Sequence, residues 1–167
     1  MAVNIRRAVL DDAAEIARVQ VESWRATYRG ILPDKILDDN EFYRQQKQFW
    51  HQILENHSLE NNIAIAEQNN QVIGVAFSGP PRDADATWNR ELYLMYIDND
   101  FHARGIGSQL LAEVLPATKS TSLWVFENNS RAIAFYRKHG FRLEAARKPY
   151  LGTSEIRMTR PEQPVTT

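Results

Sequence analysis

Apolar residues recur along this chain with two different periods, and the changes between them outline its elements. Ile5-Arg6-Arg7-Ala8 reads as a short strand. Ile16, Val19, Gln20, Ser23 and Trp24 then fall at helical spacing behind Asp11 or Asp12, with Glu15 placed to complete a capping box from Asp12. That helix ends near Gly30. Another begins after Pro33, with Phe42, Phe49, Trp50, Ile53 and Leu54 as its apolar stripe. His57 to Asn62 is polar and reads as a loop. Ile63 to Glu67 and Val72 to Ser78 read as strands on either side of the turn cluster Gln68-Asn69-Asn70-Gln71, so the pair predicts a hairpin.

Gly79-Pro80-Pro81 breaks the second of these strands, and Arg82 to Arg90 is a polar loop. Leu92 to Ile97 is the next strand. A helix with Leu110, Leu111, Val114 and Leu115 on one face follows, and Pro116 stops it by removing a helix hydrogen bond. Ser122 to Phe126 is a strand. Asn129 or Ser130 caps a helix running to His139 and ending at Gly140. Phe141 to Ala146 and Ser154 to Thr159 close the pattern as a strand pair. The order β-α-α-β-β-β-α-β-α-β-β predicts an α/β fold: one domain over residues 1–160, with a mixed, mostly antiparallel sheet and helices on both faces. Residues 161–167 read as a polar tail. The unit from Leu92 to Phe126 is long enough for a parallel crossover.

Composition narrows the function classes. With 167 residues the chain suits one domain with a real core, and 43% hydrophobic and 25% charged residues suit a soluble protein. A net charge of −1 supplies no field toward nucleic acid or an anionic membrane. No apolar run approaches the ~20 residues of a membrane span, and the N-terminus lacks a signal pattern. A cytoplasmic protein with neither nucleic acid nor membrane as partner is expected. Cysteine is absent, so disulfides, thiolate metal ligands and a cysteine nucleophile are excluded. His51, His57, His102 and His139 show no ligand spacing, so no metal site is expected.

The stretch from His102 to Leu111 is the richest in chemistry. A strand, a short loop holding Gly105 and Gly107, and a helix start together make an anion cradle, in which converging N–H groups meet the positive end of the helix dipole. Three phosphate-binding patterns compete with a plain strand–helix turn. The Gly-x-x-x-x-Gly-Lys-Ser/Thr pattern starts at none of the seven glycines. The dinucleotide pattern needs a third glycine where Leu110 stands. Acyl-CoA binding and the ligand-free turn remain.

The surroundings separate these two. Glu91-Leu92-Tyr93-Leu94-Met95-Tyr96-Ile97-Asp98, a short spacer, and His102-x-x-Gly105-x-Gly107 resemble the acetyl-CoA motif of the GNAT superfamily of acyl-CoA-dependent N-acyltransferases. Downstream, Leu123 to Glu127, Asn128-Asn129-Ser130, Phe135-Tyr136 and Gly140-Phe141 resemble that family's strand–Asn–helix–Phe-Tyr–Gly-Phe segment. Val21 to Gly30, with Trp24 and Tyr28, is similar to a common helix-turn of these enzymes. The resemblance is strongest from Glu91 to Phe141, and the element order agrees throughout. One position departs: His102 stands where the family usually has Gln or Arg, a residue that orders the loop and faces the phosphates.

The resemblance implies acetyl-CoA as co-substrate and an amine as acceptor. Such a transfer needs a neutral amine, a stabilised oxyanion and a proton for the departing thiolate. Glu91 is the expected base, with a solvated carboxylate at a strand start as the alternative. Tyr136 is the expected acid, with Phe135 left to the core. The backbone near Ile97 is expected to serve the oxyanion and the pantetheine arm, and Asn129 to cap its helix and touch that arm. His102, Arg104, Gly105, Ile106, Gly107 and Ser108 are expected to hold the pyrophosphate. Trp24, Tyr28, the Gly79 to Arg90 loop, Tyr93 and Trp124 are expected to line the acceptor side, although tryptophans such as Trp24 and Trp124 are more often core residues. Without cysteine, direct attack is the expected route. The leading expectation is a small-molecule or peptide amine N-acetyltransferase, with a homodimer as its assembly. A protein N-terminal or lysine acetyltransferase and a non-catalytic acyl-CoA-binding regulatory module are the alternatives.

Overall fold

The computed structural model describes residues 2–56 and 58–164. His57, the first residue of the expected polar loop, and the end of the polar tail lie outside them. The described residues form seven strands and five α-helices: β1 Asn4–Arg7, α1 Ala13–Tyr28, α2 Asp34–Leu37, α3 Asn40–Glu55, β2 Asn62–Gln68, β3 Gln71–Gly79 and β4 Arg90–Ile97. Then come α4 Ile106–Val114, β5 Thr121–Phe126, α5 Ser130–Lys138, β6 Arg142–Tyr150 and β7 Thr153–Arg160. The strands follow the order β1-β2-β3-β4-β5-β7-β6. β4 and β5 run parallel, as the Leu92 to Phe126 crossover requires, while β1–β2, β5–β7 and β6–β7 are antiparallel.

The chain divides into two compact units. The first takes the chain as far as Phe77 and again from Leu94 to Val114; the second takes Ser78–Tyr93 and the chain from Leu115. In the first unit, β2 and β3 join through Asn69 and Asn70, both at positive φ (+53° and +61°). Such a two-residue turn matches the twist of a hairpin, and asparagine tolerates it better than most residues. Helices cover both faces of β3. Leu110 of α4 stands 3.1 Å from where a Cβ on Gly74 would lie, and Trp50 of α3 packs its ring 5.7 Å from Phe77. Positions 74 and 77 differ by an odd number, so they point to opposite faces. Trp50 is fully buried, and its indole N–H donates to Gln20 Oε1 at 2.7 Å, which satisfies the one polar atom that burial would strand.

Two local expectations differ from what forms. Asp12 precedes α1 but does not cap it. Its carboxylate turns back instead, accepting from the Val9 N–H at 2.8 Å and from both Arg6 terminal nitrogens at 2.8 and 2.9 Å. A charged fork outcompetes a neutral cap donor here. The single helix expected after Pro33 is two, because Asp39 caps a new start by accepting from the Glu41 N–H at 2.9 Å.

In the second unit, β5 pairs with β7 from Thr121↔Arg160 to Phe126↔Glu155, placing Trp124 opposite Arg157. β6 and β7 are longer than their apolar pattern foretold, since β6 carries polar residues on a half-exposed face and a register shift between Leu143 and Arg147. Asn129 caps α5 by accepting from the Ala132 N–H at 3.1 Å, and Gly140 ends it at φ +88°.

Candidate active site

The expected pyrophosphate loop lies wholly in the first unit. β4 ends at Ile97, a single 3₁₀ turn spans Asn99–Phe101, and α4 begins at Ile106. Between them Ala103 and Gly105 both take positive φ, +60° and +76°, on either side of Arg104. Alternation of left-handed residues with ordinary ones is the backbone pattern from which anion nests are built. Around Gly105 no atom lies within 4 Å of where a Cβ would stand, so its need for glycine is conformational. The first helical bond across this start runs from the Gln109 N–H to the Gly105 carbonyl at 3.3 Å. An α-helix leaves N–H groups at its very start, here those of Ile106 and Gly107, without intrahelical acceptors. Ile106 and Gly107 are buried, while Arg104 is exposed with its guanidinium 5.1 Å from the Phe101 ring centroid.

His102 turns inward to the strand. Its Nε2 lies 2.8 Å from the Ile97 carbonyl oxygen. A carbonyl only accepts, so Nε2 carries the hydrogen, and the buried Nδ1 has no hydrogen-bond partner among the described residues. The bond ties the loop to the strand. The Ile97 carbonyl, in the backbone stretch expected to serve the pantetheine arm, also lies 3.5 Å from the Ser23 hydroxyl. The end of β4 is pinned further: the Asp98 N–H donates to the Ile73 carbonyl at 2.9 Å, and Arg18 Nη1 reaches the Asp98 carboxylate at 3.3 Å. Burial raises the Asp98 carboxyl above its ordinary pKa, against the pull of Arg18.

The expected catalytic pair lies in the second unit. Glu91 is 1% exposed, which overturns the alternative of a solvated carboxylate. Its Oε1 accepts from the Arg82 backbone N–H at 2.9 Å, and its Oε2 accepts from Arg82 Nε at 3.1 Å and from Nη2. Both oxygens are therefore engaged in this conformation. The Arg82 guanidinium also stacks 4.2 Å from the Tyr93 ring centroid, and the Tyr93 hydroxyl donates to the Pro80 carbonyl. Glu91 and Tyr93 thus share a face, as strand alternation implies. Tyr136 is buried among Phe135 and Phe141, with ring centroids 5.3 and 5.7 Å away. The expectation that Phe135 is the core member of the pair is reversed. Phe135 is half-buried and stacks on His139 at 4.3 Å, because the apolar face of α5 is centred one position later.

The aromatic residues expected on the acceptor side fall into two groups. Trp24 and Tyr28 are buried in the first unit, 5.6 Å apart, with Phe42 4.5 Å from Trp24, and they pack there as core. Trp124, in the second unit, is half-buried. Its indole N–H donates to the Asp83 carboxylate at 3.0 Å, and the Lys148 ammonium sits 4.4 Å over its ring.

Arg82 and Arg157, central to the second unit, escaped the sequence reading. Arg157 bonds the Asp85 carboxylate at 2.9 Å through each terminal nitrogen, holds Glu144 at 2.7 Å through Nε, and lies 3.4 Å from Asp83. Those bonds to Arg157 keep the Asp85 carboxyl below its usual pKa. Residues 155–159 alternate polar and apolar, so Arg157 reads in sequence as one more charge on the polar face of its strand.

Comparison with known proteins converges on one group. The family model described as "Acetyltransferase (GNAT) family" matches residues 20–141. An uncharacterised N-acetyltransferase of Bacillus subtilis, YuaI, is 31% identical over 142 residues, which is 82% of this chain and 79% of that protein. A spermidine N(1)-acetyltransferase of Thermoplasma acidophilum is 26% identical over 160 residues, covering 86% of this chain and 91% of that one. The crystal structure of the PaiA N-acetyltransferase of Thermoplasma acidophilum in complex with coenzyme A superimposes with a TM-score of 0.74 at 24% identity, over 96% of this chain and 99% of that one.

Proposed function

Since the chain belongs to the GNAT acetyltransferase family and is an acyl-CoA-dependent acetyltransferase, we propose that it transfers the acetyl group of acetyl-CoA to a primary amine of a small molecule or peptide by direct attack. The observation that carries this reading is the loop before α4, where Ala103 and Gly105 take positive φ at a helix start. An anion of pyrophosphate size and charge fits such a cradle. The amides of Arg104 to Ser108 hold it, and the exposed Arg104 guanidinium adds charge. His102 keeps the cradle in register with β4 through the Ile97 carbonyl.

The chemistry then asks three things. The amine nitrogen attacks the thioester carbon, the carbon–sulfur bond breaks, and the amine's proton must go to a base while the thiolate gains one. Tyr136 is assigned the acid role toward sulfur. Glu91 is assigned the base role only when Arg82 swings away, which its exposed guanidinium permits. In the resting arrangement Glu91 orders the Gly79 to Arg90 loop. Asn129 caps α5 and offers the rest of its amide to the pantetheine arm. The acceptor side is assigned to Tyr93, Trp124 and that loop. A small-amine acceptor is in keeping with the name of the archaeal spermidine N(1)-acetyltransferase.

The test is thiol release from acetyl-CoA across an amine panel containing spermidine, a simple alkylamine, and a peptide with a free N-terminus and one lysine. Saturable, amine-dependent release supports the transfer, and its strongest acceptor identifies the substrate class. Coenzyme A binding by calorimetry with no turnover on any amine contradicts it.

A further inference from the structure

The Gly79 to Arg90 loop is fixed from two directions within the second unit. Its early part is held by β4, where Arg82 is bound to Glu91 and stacked on Tyr93, and Pro80 receives the Tyr93 hydroxyl. Its later part is held at Asn89 by Ser120, just before β5, and from β7 by the side chain of Arg157. The Arg157 guanidinium takes Asp85 with both terminal nitrogens at 2.9 Å and lies 3.4 Å from Asp83. Its flat faces meet aromatic rings: its carbon lies 4.6 Å from the Trp88 centroid, on the loop, and 5.5 Å from the Trp124 centroid, on β5. Its Nε is anchored to Glu144 of β6 at 2.7 Å, and Glu144 is steadied by the Thr159 hydroxyl at 3.1 Å. Asp83 in turn accepts from the Trp124 indole. One guanidinium thus joins three strands to three residues of the loop.

We propose that Arg157 is the positioning residue of the acceptor side: it clamps the Gly79 to Arg90 loop in the one conformation that an acceptor amine meets. The assignment rests on the proposed reading that this loop borders the acceptor. The physical argument is the fork itself. A planar guanidinium binds a carboxylate through two parallel bonds and stacks on indole at the same time, which a lysine ammonium cannot do. At 8% exposure, Arg157 holds these bonds with little competition from water. The Asp85 carboxylate is mostly exposed, and Arg157 is the partner that keeps it in place. The clamp therefore has an anchored end on the sheet and a releasable end on the loop, so weakening it frees the loop before it disturbs the strands.

Three substitutions test the clamp in the full chain. Asp85→Asn removes the charge from the releasable end and leaves the sheet alone; Arg157→Gln removes the fork, and Arg157→Lys restores charge without geometry. Hydrogen exchange of the peptides covering residues 79–90 reads the loop directly. Steady-state kinetics with the fastest amine of the panel reads its consequence. Expected for Asp85→Asn are exchange about tenfold faster in the loop alone, an acceptor KM about fivefold higher, and an acetyl-CoA KM unchanged. Arg157→Gln should show the larger effect of the same kind, and Arg157→Lys one between it and the native chain. Unchanged loop exchange in Asp85→Asn overturns the assignment, as does a KM for acetyl-CoA that rises together with that for the amine. Failure of the unmodified chain to acetylate any amine overturns the transfer reading instead, and the exchange measurement still decides the clamp.

Discussion

Two loops carry most of the chemistry assigned to this chain, and they are held in opposite ways. The loop from His102 to Ser108 is shaped by backbone: two residues at positive φ, a helix start, and one imidazole on a strand carbonyl. The Gly79 to Arg90 loop is shaped by side chains: Arg82 on Glu91, and Arg157 on Asp83 and Asp85. A backbone cradle recognises any pyrophosphate and tolerates change in the residues around it. A side-chain clamp is specific to its own partners and can be retuned by single substitutions. The contrast suits an enzyme family with a common donor and varied acceptors.

The largest expected effect separates chemistry from both kinds of holding. Tyr136→Phe keeps the ring packed against Phe135 and Phe141 but removes the hydroxyl. If it is the acid, kcat falls about 100-fold while both KM values stay near native, as stopped-time thiol assays would read. A KM change without loss of kcat would make Tyr136 a packing residue only.

Next in size is Gly105→Ala. Open space surrounds the position, so the cost is the left-handed conformation alone, about 1–2 kcal/mol. Spent on the cradle, that raises the KM for acetyl-CoA about tenfold and leaves the acceptor KM unchanged. This is the mirror image of the Asp85→Asn pattern, and a protein in which both variants moved the same KM would erase the distinction between the loops.

His102→Ala should come third. It removes a bond to the Ile97 carbonyl worth about 1 kcal/mol, so the KM for acetyl-CoA rises about fivefold. His102→Gln, which keeps a donor, should recover part of that loss in the same assay. Equal loss in both variants would place the importance of His102 in its unpartnered Nδ1.

The difference between the loops also explains what the sequence disclosed. Gly105 and Gly107 at a strand–helix junction are local signals, and the cradle they announce is built from neighbouring residues. The β4–β5 crossover, the hairpin turn at Asn69-Asn70 and the Asn129 cap were legible for the same reason. The Arg157 clamp joins residues more than 70 positions apart, and no local period encodes that pairing. Glu91 shows the limit most clearly. Its place at the start of β4 was readable, but its burial against Arg82 depends on how the Gly79 to Arg90 loop folds back. Phe135 and Tyr136 exchanged burial because a shift of one residue, 100° around a helix, lies within the slack of an apolar pattern.

The smallest effect concerns the frame that carries β1 and α1. Burial pushes the Asp12 carboxyl up, but its bonds from Arg6 and the Val9 N–H outweigh that, so its pKa lies below the usual 3.8. A carboxyl lowered in the folded state adds stability above its ordinary pKa and loses it as pH falls through the folded value. Asp12→Asn should therefore cost about 1 kcal/mol at neutral pH and flatten the acid limb of the stability curve. Urea titrations between pH 2 and 7 would check both, and a parallel offset at every pH would contradict the ionic origin.

The central claim, that a backbone cradle before α4 holds the donor, is tested most directly by amide chemical-shift mapping during titration with coenzyme A. The largest changes are expected at the N–H groups of Arg104, Gly105, Ile106, Gly107 and Ser108, with Gly105→Ala weakening the response. Saturating shifts that leave these five amides in place would contradict it.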